Sequence, residues 1–134
     1  MSSKLQTDDL AKLILRLSVA GMMLFHGVAK IINLQTLDFI KSQLENVGLH
    51  PVLAYGVYIG EIVAPILIIL GIYCRFGGLL IFVNMLFAIV LVHSNELLML
   101  TNHGGWMLEL QAFYLVGGLL ILLLGSGRYA IKPD

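Results

Sequence analysis

The sequence has few charged residues, a single cysteine and only three prolines. Of its 134 residues, 12% are Asp, Glu, Lys or Arg, and the formal net charge at pH 7 is zero. One cysteine excludes an intramolecular disulfide, a dithiol redox pair and a zinc site built on several cysteines. The lack of a basic excess argues against a nucleic-acid partner. Soluble domains carry about 25% charged residues, so a water-soluble monomer of this composition could not cover its own surface.

Long apolar stretches take the place of the missing charge. Hydrophobic residues make up 59% of the chain, and the mean hydropathy is +0.94. A membrane helix needs about 20 mostly apolar residues to cross a hydrocarbon core of about 30 Å. Four stretches fit, at residues 10–32, 52–72, 76–93 and 105–124. The sequence therefore predicts an all-α membrane protein, a single domain over residues 1–134 with four transmembrane helices in an antiparallel bundle.

The basic residues are distributed unevenly around these stretches. Lysine and arginine are more frequent on the cytoplasmic side of membrane proteins. One side of the predicted bundle carries Lys30 and Lys41. The other side carries six basic residues, which are Lys4, Lys12, Arg16, Arg75, Arg128 and Lys132. This asymmetry predicts that both termini lie in the cytoplasm, and Arg16 is interpreted as a side chain that reaches the inner membrane surface.

The first outer loop, residues 33–51, carries a helical pattern of its own. Leu37, Ile40, Leu44 and Val47 recur at helical spacing, and polar residues take the opposite face. This pattern predicts a short amphipathic helix that lies on the outer membrane surface or caps the bundle.

Small residues form a stripe on the second predicted helix. Gly56, Gly60 and Ala64 are spaced four apart, so that another backbone can approach them closely. The stripe has two interpretations, packing inside one bundle or a seam between two copies of the chain.

Several polar side chains fall inside the predicted membrane-spanning segments. An ionisable residue in the membrane is costly, and it usually faces the bundle interior and has a partner there. Glu61 lies near the midplane, and Pro65, four residues later, cannot donate the helical hydrogen bond to the Glu61 carbonyl. A kink and a freed acceptor are therefore expected beside a carboxyl group. The sequence predicts a polar pocket in the outer half of the bundle, for ligand binding and proton relay, lined by His26, Lys30, Glu61, Asn84, His93 and Glu109.

Simpler roles are open for some of these residues. Lys30 could reach the outer interface and form a structural salt bridge, with Glu109 as the preferred partner. His26 could be a packing residue. The change Glu61→Gln is expected to keep the fold as stable as before, or slightly more so, and to impair ligand binding. The spacing of histidines and acids matches no compact ligand motif, so no metal site is predicted.

The sequence resembles the DoxX family of small bacterial four-helix membrane proteins. The resemblance lies in residues 25–30, in Gly60-Glu61 through Gly71 and Arg75, and in Gly104-Gly105-Trp106 with Glu109 and residues 125–129. Family members resemble the small membrane subunit of a thiosulfate–quinone oxidoreductase, or occur in membrane complexes linked to thiol and radical defence. The resemblance implies a bacterial inner-membrane protein beside quinone or redox chemistry, without a demonstrable cofactor or catalytic residue.

Three functions fit these observations. The first is a subunit of a quinone-linked redox system, in which His26 donates to a quinone carbonyl, Glu61 relays protons, and Lys30 and Glu109 balance the charge. The second is a non-enzymatic anchor or scaffold that recruits a redox partner through the outer loops. The third, a small ion or metal transporter, ranks last because four short helices enclose only a narrow path. Besides the lipid bilayer, the expected partners are a redox protein and further copies of this chain.

Overall fold

The computed structural model is mostly helical over the part of the chain that it describes, which is residues 3–134 for the backbone and 6–134 for the side chains. Its main helices are α1 at Ser3–Ile32, α2 at Leu34–Asn46, α3 at Pro51–Leu70, α4 at Cys74–Leu91 and α5 at Glu109–Leu124. Within that described range there is no β-strand, only two isolated bridges. The all-helical prediction is confirmed.

Three of the helices have the length and apolar character of membrane spans. Over the described residues, Gln6–Ile32 of α1, all of α3 and all of α4 are long and apolar enough to cross a membrane. Helix α5 has 16 residues, which gives a length of about 24 Å against a hydrocarbon core of about 30 Å. This helix begins at Glu109, so the predicted start of the fourth span, at residue 105, is four residues too early.

The residues before α5 form a hairpin instead of a helical turn. The Met107 N–H donates to the Met99 carbonyl at 3.0 Å, and the Thr101 N–H donates to the Gly105 carbonyl at 2.6 Å. The Trp106 indole N–H donates to the Leu97 carbonyl at 2.8 Å. These bonds keep residues 105–108 out of the helix.

The turn between α3 and α4 lies two residues earlier than predicted at both of its boundaries. Gly71 has a φ of +76°, and Tyr73 has a φ of 50°. A left-handed glycine is a common helix end, because it has no Cβ to oppose this conformation. As a result α3 ends at Leu70 rather than at residue 72, and α4 begins at Cys74 rather than at residue 76.

The predicted amphipathic helix of the outer loop is present as α2. Leu37 and Leu44 are buried against the start of α3, whereas Val47 lies beyond the helix and is 60% exposed, so it does not belong to the apolar face. The Lys41 ammonium donates to the Tyr55 hydroxyl at 2.9 Å. This hydrogen bond raises the pKa of Lys41 above its ordinary value. Helix α2 is thus attached to α3 on both its apolar and its polar side.

The other four helices pack around a shared core. Helix α1 contacts α3 and α5, and α4 contacts the same two helices. Each contributes buried side chains, among them Met23, Ile68, Ile81 and Ile121. The arrangement brings α1, the end of α3 and the residues after α5 close enough for side chains to join them.

Most of the predicted small-residue stripe packs inside the chain. A Cβ on Gly60 would lie 2.5 Å from Asn84 Cβ, and Ala64 is completely buried. A Cβ on Gly56 would have no atom within 4 Å. Gly60 and Ala64 therefore allow α3 and α4 to pack closely, which agrees with the interpretation that the stripe packs inside one bundle.

The interpretation of Arg16 as a side chain at the membrane surface is wrong. It is 1% exposed, and its guanidinium donates to four backbone carbonyls. Nε reaches Ile68 at 3.0 Å, Nη1 reaches Ser126 at 3.0 Å and Tyr129 at 2.7 Å, and Nη2 reaches Ile69 at 3.2 Å. Arg16 therefore ties α1 to the end of α3 and to the C-terminal segment, residues 125–134.

Arg75 joins helix ends in a similar way at the same end of the molecule. Its Nη1 donates to the Leu122 and Leu123 carbonyls at 3.0 Å each, and its backbone N–H donates to Asp134 at 3.0 Å. The last carbonyls of a helix lack partners within the helix and carry partial negative charge, so a guanidinium suits them.

The other basic residues assigned to the inner side also lie at this end. Arg128 pairs with Asp9 at 3.6 Å, the Lys132 ammonium lies 5.1 Å from the centre of the Tyr73 ring, and Lys12 lies against Gly127. The side chain of Lys4 lies outside the described part.

Candidate ligand-binding cavity

A buried ion pair lies between α1 and α3. Lys30 Nζ is 2.5 Å from Glu61 Oε1, and the two side chains are 18% and 4% exposed. The predicted pairing of Lys30 with Glu109 is therefore wrong. Glu109 is exposed at the start of α5, where it lines a small depression with Trp106 and Phe113.

The backbone of α3 changes geometry at the ion pair. Residues Ile59–Val63 form a π-helical turn, in which the Ala64 N–H donates to the Ile59 carbonyl five residues earlier. Glu61 is the central residue of this turn. One extra residue in a helical turn rotates the side chains that follow the turn by about 100° relative to those that precede it. Such turns are frequent at functional sites. The turn lies directly before the segment that contains Pro65, the residue from which the sequence predicted a kink.

Gly27 allows α1 to approach the π-helical turn closely. A Cβ at this position would overlap the Glu61 carbonyl oxygen and would lie 2.6 Å from Ile62 Cγ1. Gly27 and Lys30 are three residues apart and share one face of α1. The glycine therefore sets the separation of the backbones across which Lys30 reaches Glu61.

Gly27→Ala is expected to lower the melting temperature (Tm) in detergent by several degrees, because overpacking costs about 1–3 kcal/mol. Gly21→Ala, on the same helix, is the matched control, since a Cβ at Gly21 would have no atom within 4 Å. It is expected to be neutral or stabilising, because alanine favours a helix over glycine by about 1 kcal/mol. Equal thermal shifts for the two variants, measured side by side, would contradict the close contact at Gly27.

Both carboxylate oxygens of Glu61 have a partner. Lys30 binds one oxygen, and the Asn84 side-chain amide donates to the other at 3.4 Å. The Tyr58 hydroxyl donates to the Lys30 carbonyl at 3.2 Å and supports the end of α1. An ionised carboxylate only accepts hydrogen bonds, and an ammonium has three N–H groups. Lys30 thus keeps N–H groups that are not used on Glu61.

A cavity of about 620 Å³ opens beside this ion pair. Its volume lies in the range of about 300–1,000 Å³ that ligand pockets occupy. The walls are mainly apolar and come from all five helices, with Phe39, Leu53 and Phe87 among the lining side chains. A lipophilic molecule fits a space of this kind.

The structure brings five of the six predicted site residues to this cavity and leaves one out. The residues that line it are His26, Lys30, Glu61, Asn84 and His93. Glu109 does not line it, because the first turn of α5 directs this side chain to the separate depression beside Trp106.

Two further lining residues, Gln111 and Tyr114, come from α5 and were missed by the sequence analysis. The Tyr114 ring packs edge-to-face on His26, with ring centres 5.5 Å apart and an interplanar angle of 86°. Gln111 gave a usable signal, because an amide side chain is rare inside an apolar helix. Tyr114 gave none, because tyrosine is common in membrane helices near the interface.

His93 connects the cavity with the loop that follows α4. Its Nδ1 lies 3.1 Å from Glu96 Oε2, and its Nε2 lies 3.5 Å from Gln111 Nε2. The three side chains form a second polar group at the cavity, separate from Lys30 and Glu61. Among the described residues, no three His, Cys, Asp or Glu side chains are grouped closely enough to hold a metal ion.

A family model matches residues 11–94, which is more than half of the chain, and that family is DoxX. The chain belongs to the DoxX family. Membership together with the apolar helices identifies it as a multi-pass membrane protein. No curated protein and no solved structure matches the chain.

The DoxX match divides the cavity residues into two groups. His26, Lys30, Glu61, Asn84 and His93 all lie inside the matched segment. The cavity residues that come from α5 lie outside it. Glu109 lies outside it too, as do residues 104–106 and 125–129, where the sequence also resembles the family. The ion pair is thus part of the region that defines membership, whereas the wall from α5 belongs to the remainder of the chain.

Proposed function

We propose that this DoxX protein is a subunit of a quinone-linked redox system and binds a quinone, or a similar lipophilic molecule, in the cavity beside Lys30 and Glu61. The observation that carries the proposal is the cavity itself, with about 620 Å³ of space, apolar walls and a buried ion pair. A quinone has a matching distribution of polarity, since two carbonyl acceptors sit on an otherwise apolar ring and tail. Sites for such molecules combine apolar walls with a few placed polar groups.

The polar side chains have distinct roles in this proposal. Lys30 and His26 donate hydrogen bonds to a ring oxygen, and Asn84 holds the Glu61 carboxylate in place. Reduction of a quinone consumes protons, and Glu61 carries the exchangeable group that relays them. Electrons come from a partner redox protein, so this chain is a subunit that is not catalytic alone.

We also propose the arrangement of the chain in a bacterial inner membrane. Helices α1, α3, α4 and α5 cross it as an antiparallel bundle with both termini in the cytoplasm. The gathering of Arg16, Arg75 and Arg128 at one end of the molecule supports this orientation. In this arrangement the preceding hairpin, whose Leu98 is 97% exposed, offsets the shortness of α5 by entering the outer interface.

The test is ligand binding by the intact protein in mild detergent. We expect a quinone in the lipid extract of the purified protein, and saturable binding of added decylubiquinone. The double variant Lys30→Met/Glu61→Gln, which removes both charges together, should weaken that binding at least about ten-fold, the effect of about 1.4 kcal/mol. Glu109→Gln is the matched control and should bind as wild type, since Glu109 is outside the cavity. A protein that purifies without quinone and shows no saturable binding contradicts the proposal and favours the scaffold role.

A further inference from the structure

Helices α3 and α4 separate beside the cavity. At Gly60 they are in contact, since a Cβ there would lie 2.5 Å from Asn84 Cβ. At Gly56, about one turn nearer to α2, a Cβ would lie more than 4 Å from every other element in the described part of the chain. Both glycines line the cavity, and Gly56 is exposed whereas Gly60 is buried. A gap between the two helices therefore connects the cavity with its surroundings.

The side chains around this gap are apolar. Residues that line the cavity and are also exposed mark its mouth, and on these two helices they include Leu53, Ile59, Val83 and Phe87. Val83 lies eight residues before Leu91, the last residue of α4, which is about 12 Å along the helix. Since α3 and α4 are long and apolar enough to cross a membrane, the gap opens on the hydrocarbon core of the bilayer and not on water.

The polar part of the cavity wall is close to the gap but separate from it. The ion pair of Lys30 and Glu61 is buried, and Glu61 lies five residues after Gly56, about 8 Å along α3. Asn84 lies against Gly60 and holds the Glu61 carboxylate. A molecule whose polar ring contacts the ion pair can therefore extend an apolar part into the gap.

We propose that the cavity ligand enters from the bilayer between α3 and α4, and that its apolar tail occupies the gap at Gly56 while its polar ring contacts Lys30 and Glu61. This inference rests on the proposed function and narrows the class of ligand. The ligand is an amphiphile whose tail contributes to affinity, and not a compact lipophilic ring. Gly56 is a specificity-determining residue, because its missing side chain provides the space for the tail.

A second opening of the cavity lies between α1 and α5. His26 and Leu110 line the cavity there and are exposed, and the Tyr114 ring packs on His26. A hydrocarbon tail at this opening would cover a polar imidazole, which is costly. The tail is therefore assigned to the gap between α3 and α4, where the exposed lining side chains are apolar.

The first experiment compares two ligands with the same ring. Dissociation constants (Kd) are measured for the intact protein in mild detergent with decylubiquinone and with an analogue that carries a methyl group in place of the decyl tail. Wild type should bind decylubiquinone at least about ten-fold more tightly, since burial of about two methylene groups accounts for a factor of ten.

Gly56→Trp fills the gap and should abolish this preference for the tail. Gly56 has a φ of −60°, which any residue adopts in a helix, so the new side chain brings no backbone strain. The affinity for decylubiquinone should fall to that for the methyl analogue. The affinity for the methyl analogue should stay at its wild-type value, which also shows that the cavity is intact. Gly21→Trp is the matched control, because Gly21 is equally uncrowded but does not line the cavity, and it should keep the preference.

Photolabelling of the wild-type protein is a second measurement that needs no variant. A decylubiquinone with a diazirine at the end of its tail is bound and irradiated, and the labelled peptides are identified by mass spectrometry. The label should fall on residues 53–59 of α3 and 83–87 of α4, and an excess of unmodified decylubiquinone should prevent it. Leu110→Trp, which fills the second opening, should leave the labelled positions unchanged.

The outcomes separate this inference from the proposed function. An unchanged preference for the tail in Gly56→Trp means that a lipid chain or another molecule fills the gap, and it overturns the inference while quinone binding stands. Label on α1 or α5 has the same consequence, since the tail then leaves through the second opening. If neither ligand binds wild type in a saturable way, the proposed function fails together with this inference.

Discussion

Arg16→Met is expected to destabilise the protein more than any change at the membrane surface, lowering Tm by about 10 °C or more. The substitution removes four hydrogen bonds from a buried charged donor, and each such bond contributes about 1.5–3 kcal/mol. A loss of about 3 kcal/mol or more corresponds to a fall in Tm of this size. Thermal unfolding in detergent, followed by circular dichroism, measures it.

The same substitution should release the C-terminal segment. Ser126 and Tyr129 are joined to α1 through the guanidinium, so residues 125–134 lose an anchor when Arg16 is replaced. Limited proteolysis should then remove this segment below the temperature at which the helices unfold. Arg16→Lys should behave as an intermediate, because an ammonium has three donors in a compact group and cannot reach the carbonyls of two separate segments as a guanidinium does.

Lys12→Met is the matched control for Arg16. Lys12 is one turn earlier on α1 and carries the same charge, but it is only half-buried beside Gly127. If positive charge at this end of the molecule were the important property, the two variants would lose similar stability. We expect Lys12→Met to melt within a few degrees of wild type. A similar fall in Tm for both variants would favour the earlier interpretation, in which the Arg16 side chain reaches the inner membrane surface.

The helices were predictable because their signal is a sum over many apolar residues. Stretches such as residues 10–32 and 52–72 reach the required length whatever their neighbours do. The boundaries depended on single contacts instead. Gly71 ended α3 two residues early through its left-handed conformation, and the hydrogen bonds of the hairpin kept residues 105–108 out of α5. A hydropathy pattern contains no information about either.

The candidate site was predictable residue by residue but not contact by contact. Ionisable residues stand out in an apolar helix, and this was sufficient to select Lys30 and Glu61. Which acid faces Lys30 depends on how far each helix is rotated about its axis. The π-helical turn changes that rotation on α3, and Gly27 decides how close α1 comes. Both act through packing, which is not visible in the depth of a residue along its helix, and the predicted pair of Lys30 and Glu109 was based on charge and depth alone.

The contact between Lys30 and Glu61 changes what is expected of Glu61→Gln. Considered alone, a carboxyl group in the membrane is a burden whose neutralisation should leave stability unchanged or improve it. With Lys30 bound to it, neutralisation strands an ammonium, and removing one partner of a buried pair typically costs about 3–5 kcal/mol. Glu61→Gln should therefore destabilise the fold, contrary to the expectation from sequence.

Lys30→Met should cost more than Glu61→Gln. The carboxylate left behind in Lys30→Met is 4% exposed, whereas the ammonium left behind in Glu61→Gln is 18% exposed and has a long apolar stem that allows it to turn towards water. Stability measured by thermal or denaturant unfolding in detergent should rank wild type first, then Glu61→Gln, then Lys30→Met. The reverse ranking of the two variants would mean that the ammonium, and not the carboxylate, is the more deeply held charge.

The double variant Lys30→Met/Glu61→Gln should be more stable than Lys30→Met alone, because it strands neither charge. A double-mutant cycle should give a coupling energy of about 2 kcal/mol, within the range found for residues in contact. The matched cycle combines Lys30→Met with Glu109→Gln, and it should be additive within about 0.5 kcal/mol, since Glu109 lies outside the cavity. Additive effects in the first cycle and coupling in the second would show that Lys30 pairs with Glu109. The cavity would then lose the charged group on which quinone binding is proposed.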